Sequence, residues 1–292
     1  MPSNEQRRET AKRKLERQLE RRAERARKRK QMTIAGSALG VVVVVAVVAG
    51  LVWLNTGNDD TSESATDTTA ASEQSAAVMP VGRSTPLPDT VSCSYPADGQ
   101  TPAKAANPPR TEGIPATAPD ATPSISIETT QGNIGLNLDG TLSPCTVNSF
   151  VSLAQQGYFD NTPCHRLSTT GLQILQCGDP SGTGSGGPGY GFDNEFPTDQ
   201  YADGDPALSA PVTYSRGTIA MANTGAPGSN GSQFFLLYGD SQLPPNYTVF
   251  GTIDDTGLAT IEKVAAGGDD GSMTAGGGKP NLPIEFTSVR VD

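Results

Sequence analysis

Hydrophobic and polar positions follow three rhythms along this chain, and each predicts a different kind of element. Ile34 to Leu54 is a run without a charged residue, including Val41 to Val45. At about 1.5 Å rise per residue, a helix of that length spans roughly 30 Å, one hydrocarbon core. Lipid enforces the helix despite the β-branched residues, because every backbone group must pair internally. Trp53 falls near one end, where an indole prefers the interface. From Ser124 the rhythm changes to period two. Ser124-Ile125-Ser126-Ile127-Glu128-Thr129 alternates, Gln131-Gly132-Asn133 turns, and Ile134-Gly135-Leu136-Asn137-Leu138 alternates again, which predicts a hairpin. The helical rhythm appears after Ser143-Pro144, an N-cap followed by proline at the first helical position. Val147, Phe150, Val151 and Ala154 share a face there, and Gly157 stops the helix. A second helix carries Leu258, Ile261 and Val264 and ends before Gly267-Gly268, and Ile284 to Val291 alternates as a closing strand. Many short strands with two helices predict a mainly β domain, a closed barrel capped at its ends.

Charge divides the chain further. The net charge of −10 comes from 21 Lys and Arg against 31 Asp and Glu, yet thirteen of the basic residues lie within residues 1–31. Such polarity predicts two environments, with a basic cytoplasmic segment over 1–31 and a single transmembrane helix over 32–54. A cleaved signal peptide is the rival reading, but the apolar run is long for one. The basic segment reads as a solvated helix near anionic headgroups rather than a nucleic-acid tail. Residues 55–91 are rich in Ser, Thr, Asp and Ala without apolar periodicity, which predicts a disordered acidic linker. Residues 92–123 form a Pro-rich extension, with Cys93 and Tyr95 placed to pack on the domain at 124–292. The domain at 124–292 then lies outside the cytoplasm, tethered at the cell membrane.

Several motifs fail on their context. Gly182-Thr183-Gly184-Ser185-Gly186-Gly187 fits a dinucleotide fingerprint, but Pro188 and more glycine follow where a helix is required, so no nucleotide is expected. No G-x-S-x-G is present. His165 is the single histidine, and Arg166 beside it disfavours the imidazolium that a hydrolase forms. The four cysteines make no CxxC pair, so no metal is expected.

Two longer blocks carry more. Thr162-Pro-Cys-His-Arg-Leu-Ser-Thr-Thr-Gly-Leu-Gln-Ile-Leu-Gln-Cys-Gly178 is one, and Ile219 to Tyr238, with Met221-Ala222-Asn223 and Gly231-Ser232-Gln233-Phe234-Phe235, is the other. Together they resemble the signature blocks of the cyclophilins, the proline cis/trans isomerases, over about Ser124 to Asp292. The pattern is similar to the membrane-anchored members of actinobacteria. The resemblance implies a closed eight-stranded antiparallel barrel with two capping helices. It implies action on proline-containing polypeptides without any cofactor, in the folding of secreted or envelope proteins. X–Pro isomerisation is slow because amide resonance must be broken, over a barrier of about 18–20 kcal/mol. Lowering it takes a slot for the ring, anchors for the flanking backbone and a fixed donor for the twisted amide.

By the resemblance, Arg166 is the catalytic donor and Gln176 steadies it. Ala222 and Asn223 clamp the residue before proline, and Gln233 is a neighbouring polar contact. Phe235 and Leu243 wall the slot, Ile174 stands where methionine is usual, and Tyr247 where histidine is frequent. His165 takes a structural, hydrogen-bonded role. The stretch from His165 to Gln176 is two residues longer than in familiar eukaryotic members, which aligns Gln173 with the phenylalanine opposite the ring. Gln242 replaces a tryptophan. Gln173 leaves room for a second reading, a non-catalytic module that holds proline segments. In the family the positions of Cys164 and Cys177 lie on adjacent strands. Strand parity then turns Cys164 with Arg166 and Cys177 inward, which disfavours a bridge between them and makes Cys145 or Cys93 the expected partner of Cys164.

Overall fold

The computed structural model describes residues 77–202 and 204–292. The basic segment and the membrane helix expected over 1–54 lie outside the described residues. Among those described, no helix is long and apolar enough to cross a membrane.

Three short strands come first, β1 (Ala77–Val78), β2 (Thr90–Val91) and β3 (Ile114–Pro115). The expected hairpin follows as β4 (Ser124–Thr129) and β5 (Gly132–Leu138), with Ile127 facing Ile134. The chain continues through α1 (Pro144–Gln155), β6 (Thr162–Pro163), β7 (Arg166–Ser168) and β8 (Ile174–Cys177). Next are β9 (Val212–Tyr214), β10 (Thr218–Met221), β11 (Phe234–Leu237), β12 (Ser241–Leu243) and β13 (Val249–Ile253). The second helix, α2 (Asp255–Ala266), and the closing strand β14 (Glu285–Val291) complete the described chain.

Among the described residues nine strands form one antiparallel sheet, in the order β6-β14-β4-β5-β13-β10-β11-β8-β7. Its terminal strands, β6 and β7, are separated in the chain by Cys164 and His165 alone. A flat sheet of this size would be about 38 Å wide at the usual 4.7–4.9 Å strand spacing. Two linking residues reach about 10 Å at most. The sheet therefore curls until its edges approach. This corrects the expected closed eight-stranded barrel: the sheet has nine strands, and no ladder joins β6 to β7.

Curling gives the sheet an inside and an outside, and the period of two sorts side chains between them. Leu167, Leu175, Ile219, Met221, Phe234 and Leu236 point inward, where they meet α1 and α2 in one core. Phe150 of α1 sits at its centre, 4.9 Å from the Phe159 ring and 5.3 Å from that of Phe234. The alternate residues Ile174, Ala220, Phe235 and Leu237 form a second apolar cluster on the other face.

Both helices begin and end near their expected places, but the start of α1 is held differently. The Ser143 side chain does not cap; its hydroxyl donates to the Val249 carbonyl at 2.7 Å. Glu195, fifty residues on, accepts instead from the Cys145 N–H at 3.0 Å and the Thr146 N–H at 2.8 Å. A carboxylate there complements the positive end of the helix, whose own first turn has no acidic residue.

The segment before the sheet is tightly attached. The part of the expected linker over 77–91 is ordered: β1 pairs with β9, β2 pairs with β3, and Arg83 forms a 2.6 Å ion pair with Asp199. Backbone pairing needs no apolar periodicity, so the Ser- and Thr-rich composition concealed it. Tyr95 is buried, donates its hydroxyl to the Cys145 carbonyl at 2.7 Å, and packs edge-on to Tyr190 and Phe192.

The cysteine expectation is overturned. The bridges are Cys93–Cys145 and Cys164–Cys177. Cys177 does point inward, but parity cannot be carried from Arg166 back to Cys164. The strand breaks at 164–165, where the Cys164 N–H turns to the Ile284 carbonyl and Cys164 joins the inner core. Non-reducing peptide mapping should therefore recover these two pairs. The Cys93–Cys145 bridge closes a 52-residue separation, worth about 4 kcal/mol in a chain-entropy account. Replacing both of its cysteines by Ser should lower the urea-unfolding free energy by about 2–4 kcal/mol.

Candidate active site

Strand register assembles the expected site on the outer face of the curled sheet. Arg166 of β7 stands opposite Gln176 of β8, Gln176 opposite Phe235 of β11, and Phe235 opposite Ala220 of β10. Equal register places these side chains on one face in a row. The row's polar end is a continuous relay. Arg166 Nη1 donates to Gln176 Oε1 at 3.3 Å, and Gln176 Nε2 donates to Gln233 Oε1 at 3.0 Å. Gln233 Nε2 then donates to the Gly186 carbonyl at 3.0 Å. On the other side of the guanidinium, Nε reaches the Gly276 carbonyl at 3.0 Å and Nη2 reaches that of Ala275 at 2.9 Å. Arg166 is thus held from three directions. Partial burial lowers its pKa, and neighbouring Tyr247 acts in the opposite sense. An arginine remains charged throughout.

The apolar end of the row is the slot. Ile174 and Phe235 are buried in the outer cluster, and Ala222, Leu243 and Tyr247 pack against it part-buried. The Tyr247 ring lies edge-on to Phe235, with centroids 5.6 Å apart. The phenol of Tyr214 holds the Tyr247 backbone at both ends, accepting from its N–H and donating to its carbonyl. Leu172, which sequence reasoning missed, also packs on this cluster. Gln173 is exposed and lies against Gly239, while the leucine one position earlier packs on the outer cluster. The only signal for this was an apolar residue beside a polar one inside a loop of altered length.

Ala222 pairs through its N–H with the Gln233 carbonyl at 2.9 Å. The Asn223 side chain is spent on its own loop, donating to the Asn246 carbonyl at 2.8 Å and accepting from Gly225 N–H at 2.9 Å. Among the described residues, nothing hydrogen-bonds to the Asn223 backbone N–H or carbonyl. A part-buried backbone with both groups open is suited to pairing with a bound peptide.

The glycine-rich loop over 179–189 has its own anchor, also missed from sequence. Asp179 is fully buried and accepts six hydrogen bonds from backbone and hydroxyl donors between 2.7 and 3.3 Å: Ser181 N–H and Oγ, Thr183 N–H and Oγ1, and the N–H groups of Gly184 and Gly186. Burial works to raise its pKa, but these donors outweigh it and the net shift is downward. The amide cradle that could have held a phosphate is filled by the chain's own carboxylate.

His165 departs from its expected role. It is buried, yet neither ring nitrogen has a hydrogen-bond partner among the described residues. Its ring packs on Gly184, where a Cβ would stand 3.1 Å from Cδ2. Its role is to fill space behind the loop.

Residues 124–291 match the family model described as cyclophilin type peptidyl-prolyl cis-trans isomerase/CLD. The chain belongs to the cyclophilin family. It is 57% identical over 205 residues to a probable peptidyl-prolyl cis-trans isomerase B of Mycobacterium leprae, covering 69% of this chain and 67% of that one. A probable peptidyl-prolyl cis-trans isomerase B of Mycobacterium tuberculosis is 56% identical over 204 residues, covering 68% of this chain and 64% of the other. The chain thus spans about two thirds of the length of these relatives. The matches are longer than the family domain, so in both cases they reach into the extension before Ser124. A solved Cryptosporidium parvum cyclophilin type peptidyl-prolyl cis-trans isomerase aligns with a TM-score of 0.46 at 30% identity, covering 59% of this chain and 98% of that one. In this cyclophilin the extension braces the glycine loop: Ala103 N–H donates to the Gly187 carbonyl at 2.9 Å, and Gly191 N–H to that of Pro96 at 3.0 Å.

A pH dependence follows from His165. Desolvation is the main cause holding its pKa below the ordinary 6.5, with Asp179 opposing and Arg166 assisting. The folded chain therefore resists protonation that the unfolded chain accepts. Stability is complete above about pH 6.5 and is lost as pH falls below it. Urea titrations from pH 7.5 to 5 should show this loss, and His165→Leu should flatten it.

Proposed function

We propose that this chain catalyses cis/trans isomerisation of X–Pro bonds, with Arg166 as the donor to the twisting amide. The three-way hold on the guanidinium carries the reading. Of its five N–H groups, three are committed to Gln176, Ala275 and Gly276, which leaves two for substrate. As the amide twists, its nitrogen becomes pyramidal and gains a lone pair, and a fixed N–H can bond to that form and not to the planar one. Preference for the twisted state over the planar state is what lowers a barrier. The apolar wall of Phe235, Leu243, Ile174 and Leu172 receives the proline ring, and the open Asn223 backbone pairs with the residue before it.

The binding-only reading rested on Gln173 weakening the slot. Leu172 packs on the same outer cluster as Phe235 and Leu243, which supports it as that wall and so supports turnover. Arg166→Ala should reduce kcat/KM in a prolyl-isomerisation assay by at least about tenfold, or about 1.4 kcal/mol of barrier. A near-wild-type rate, with folding verified by circular dichroism, sinks the mechanism.

The setting belongs to the same proposal: an N-terminal membrane anchor at 32–54, with the domain outside the cytoplasm serving secreted or envelope proteins. The charge asymmetry and two disulfides support it, since disulfides persist in oxidising compartments. Protease added to intact protoplasts should release the domain from the membrane. Protection until lysis reverses the orientation.

A further inference from the structure

Beyond Arg166 the outer face opens into a cleft of about 560 Å³. Thr170, Gly171 and Leu172 of the lengthened loop form one side, Asp240 and Gln242 another, and Gly276 the third. We propose that this cleft is a specificity subsite for the side chain that follows proline, and that it selects a cationic one, lysine or arginine. The proposal rests on the isomerase reading above and extends it.

Continuity with the site is the first argument. Leu172 packs on the same cluster as Phe235 and Leu243, and Gly276 accepts from Arg166 Nε. Gln242 immediately precedes Leu243 on β12. The cleft thus shares a wall with the proline slot, and the Gly276 and Ala275 carbonyls that line it engage the Arg166 guanidinium from behind. Direction is the second. The anchoring backbone at Ala222–Asn223 joins Gln233, and the relay Gln233–Gln176–Arg166–Gly276 runs from there to the cleft. A peptide with its pre-proline residue on Asn223 therefore leads its following residues past Arg166 into the opening.

Charge is the third. No lysine or arginine lines the cleft. Asp240 is exposed at its mouth and accepts from the Arg216 backbone N–H at 2.8 Å through Oδ1, while Oδ2 has no partner among the described residues. The Arg216 guanidinium does not neutralise it, because its Nε and Nη2 are both turned to Glu262, at 3.0 and 2.6 Å. Gln242 contributes a further acceptor beside Asp240. A cleft of about 560 Å³ has room for a lysine or arginine side chain, and the Asp240 carboxylate favours its ammonium or guanidinium beside it.

The test uses the full-length protein and a matched set of Ala-Ala-Pro-Xaa peptides with Xaa as Lys, Leu or Glu, followed by exchange NMR. Wild type should favour Lys over Glu about fivefold in kcat/KM at low ionic strength, shrinking with added salt. Asp240→Asn should bring that ratio within about twofold and leave the Leu peptide unchanged; Asp240→Lys should invert it. Equal rates for Lys and Glu peptides in wild type overturn the subsite while leaving the isomerase reading intact, as does a preference that survives Asp240→Asn. Failure to accelerate any of the three peptides overturns the isomerase reading and the subsite with it.

Discussion

The orientation of one guanidinium is the constraint on which the site depends. Arginine carries a long, flexible stem, and an unrestrained one would offer its donors in many directions. Here Gln176 and two loop carbonyls select one, and each of those partners is held in turn. Gln176 is positioned by its ladder partner on β11 and by Gln233, and Gln233 by Gly186. The carbonyls of Ala275 and Gly276 are set by the next residues, since Gly278 pairs on both sides with Leu167, the immediate neighbour of Arg166. A Cβ at Gly277 would collide with the Leu167 carbonyl, so only glycine permits this approach. The strand that carries the arginine therefore also fixes the loop that restrains it.

A second layer supports the first. Asp179 gathers amides that would otherwise leave the glycine loop without a centre, and Ala103 and Pro96 of the extension bind its outer side. Gly186 belongs to both systems: its N–H goes to Asp179 and its carbonyl to Gln233. Support for Arg166 thus runs through a segment that precedes the family domain in sequence, and the mycobacterial relatives match beyond that domain's boundary.

Much of this was legible beforehand because it is local. The β4–β5 hairpin and both helices follow from periodicity and turn chemistry, and most of the residues that line up on the outer face lie in two contiguous blocks, with Leu243 and Tyr247 beyond them. What the sequence concealed was non-local. Glu195 caps a helix fifty residues before it, Asp179 fills a cradle that reads as a phosphate motif, and β1 attaches through a backbone ladder with β9. The Cys164–Cys177 pairing failed for a sharper reason. Parity holds only within an unbroken strand, and the break at Cys164 and His165 is the corner where the curled sheet's two edges are joined. Leu172 was hidden because a loop of altered length has no periodicity to fix its register.

The Cys93–Cys145 bridge has a mechanical consequence. A load pulling on the chain ahead of Cys93 first meets only noncovalent holds, the β1 ladder and the Arg83–Asp199 pair. Once these yield, tension passes through the sulfurs directly into α1 at Cys145. The residues between lie in a slack covalent loop, including the hairpin and the segment that braces the glycine loop. Force transmitted along the chain thereby bypasses the extension and the hairpin and re-enters at the start of α1.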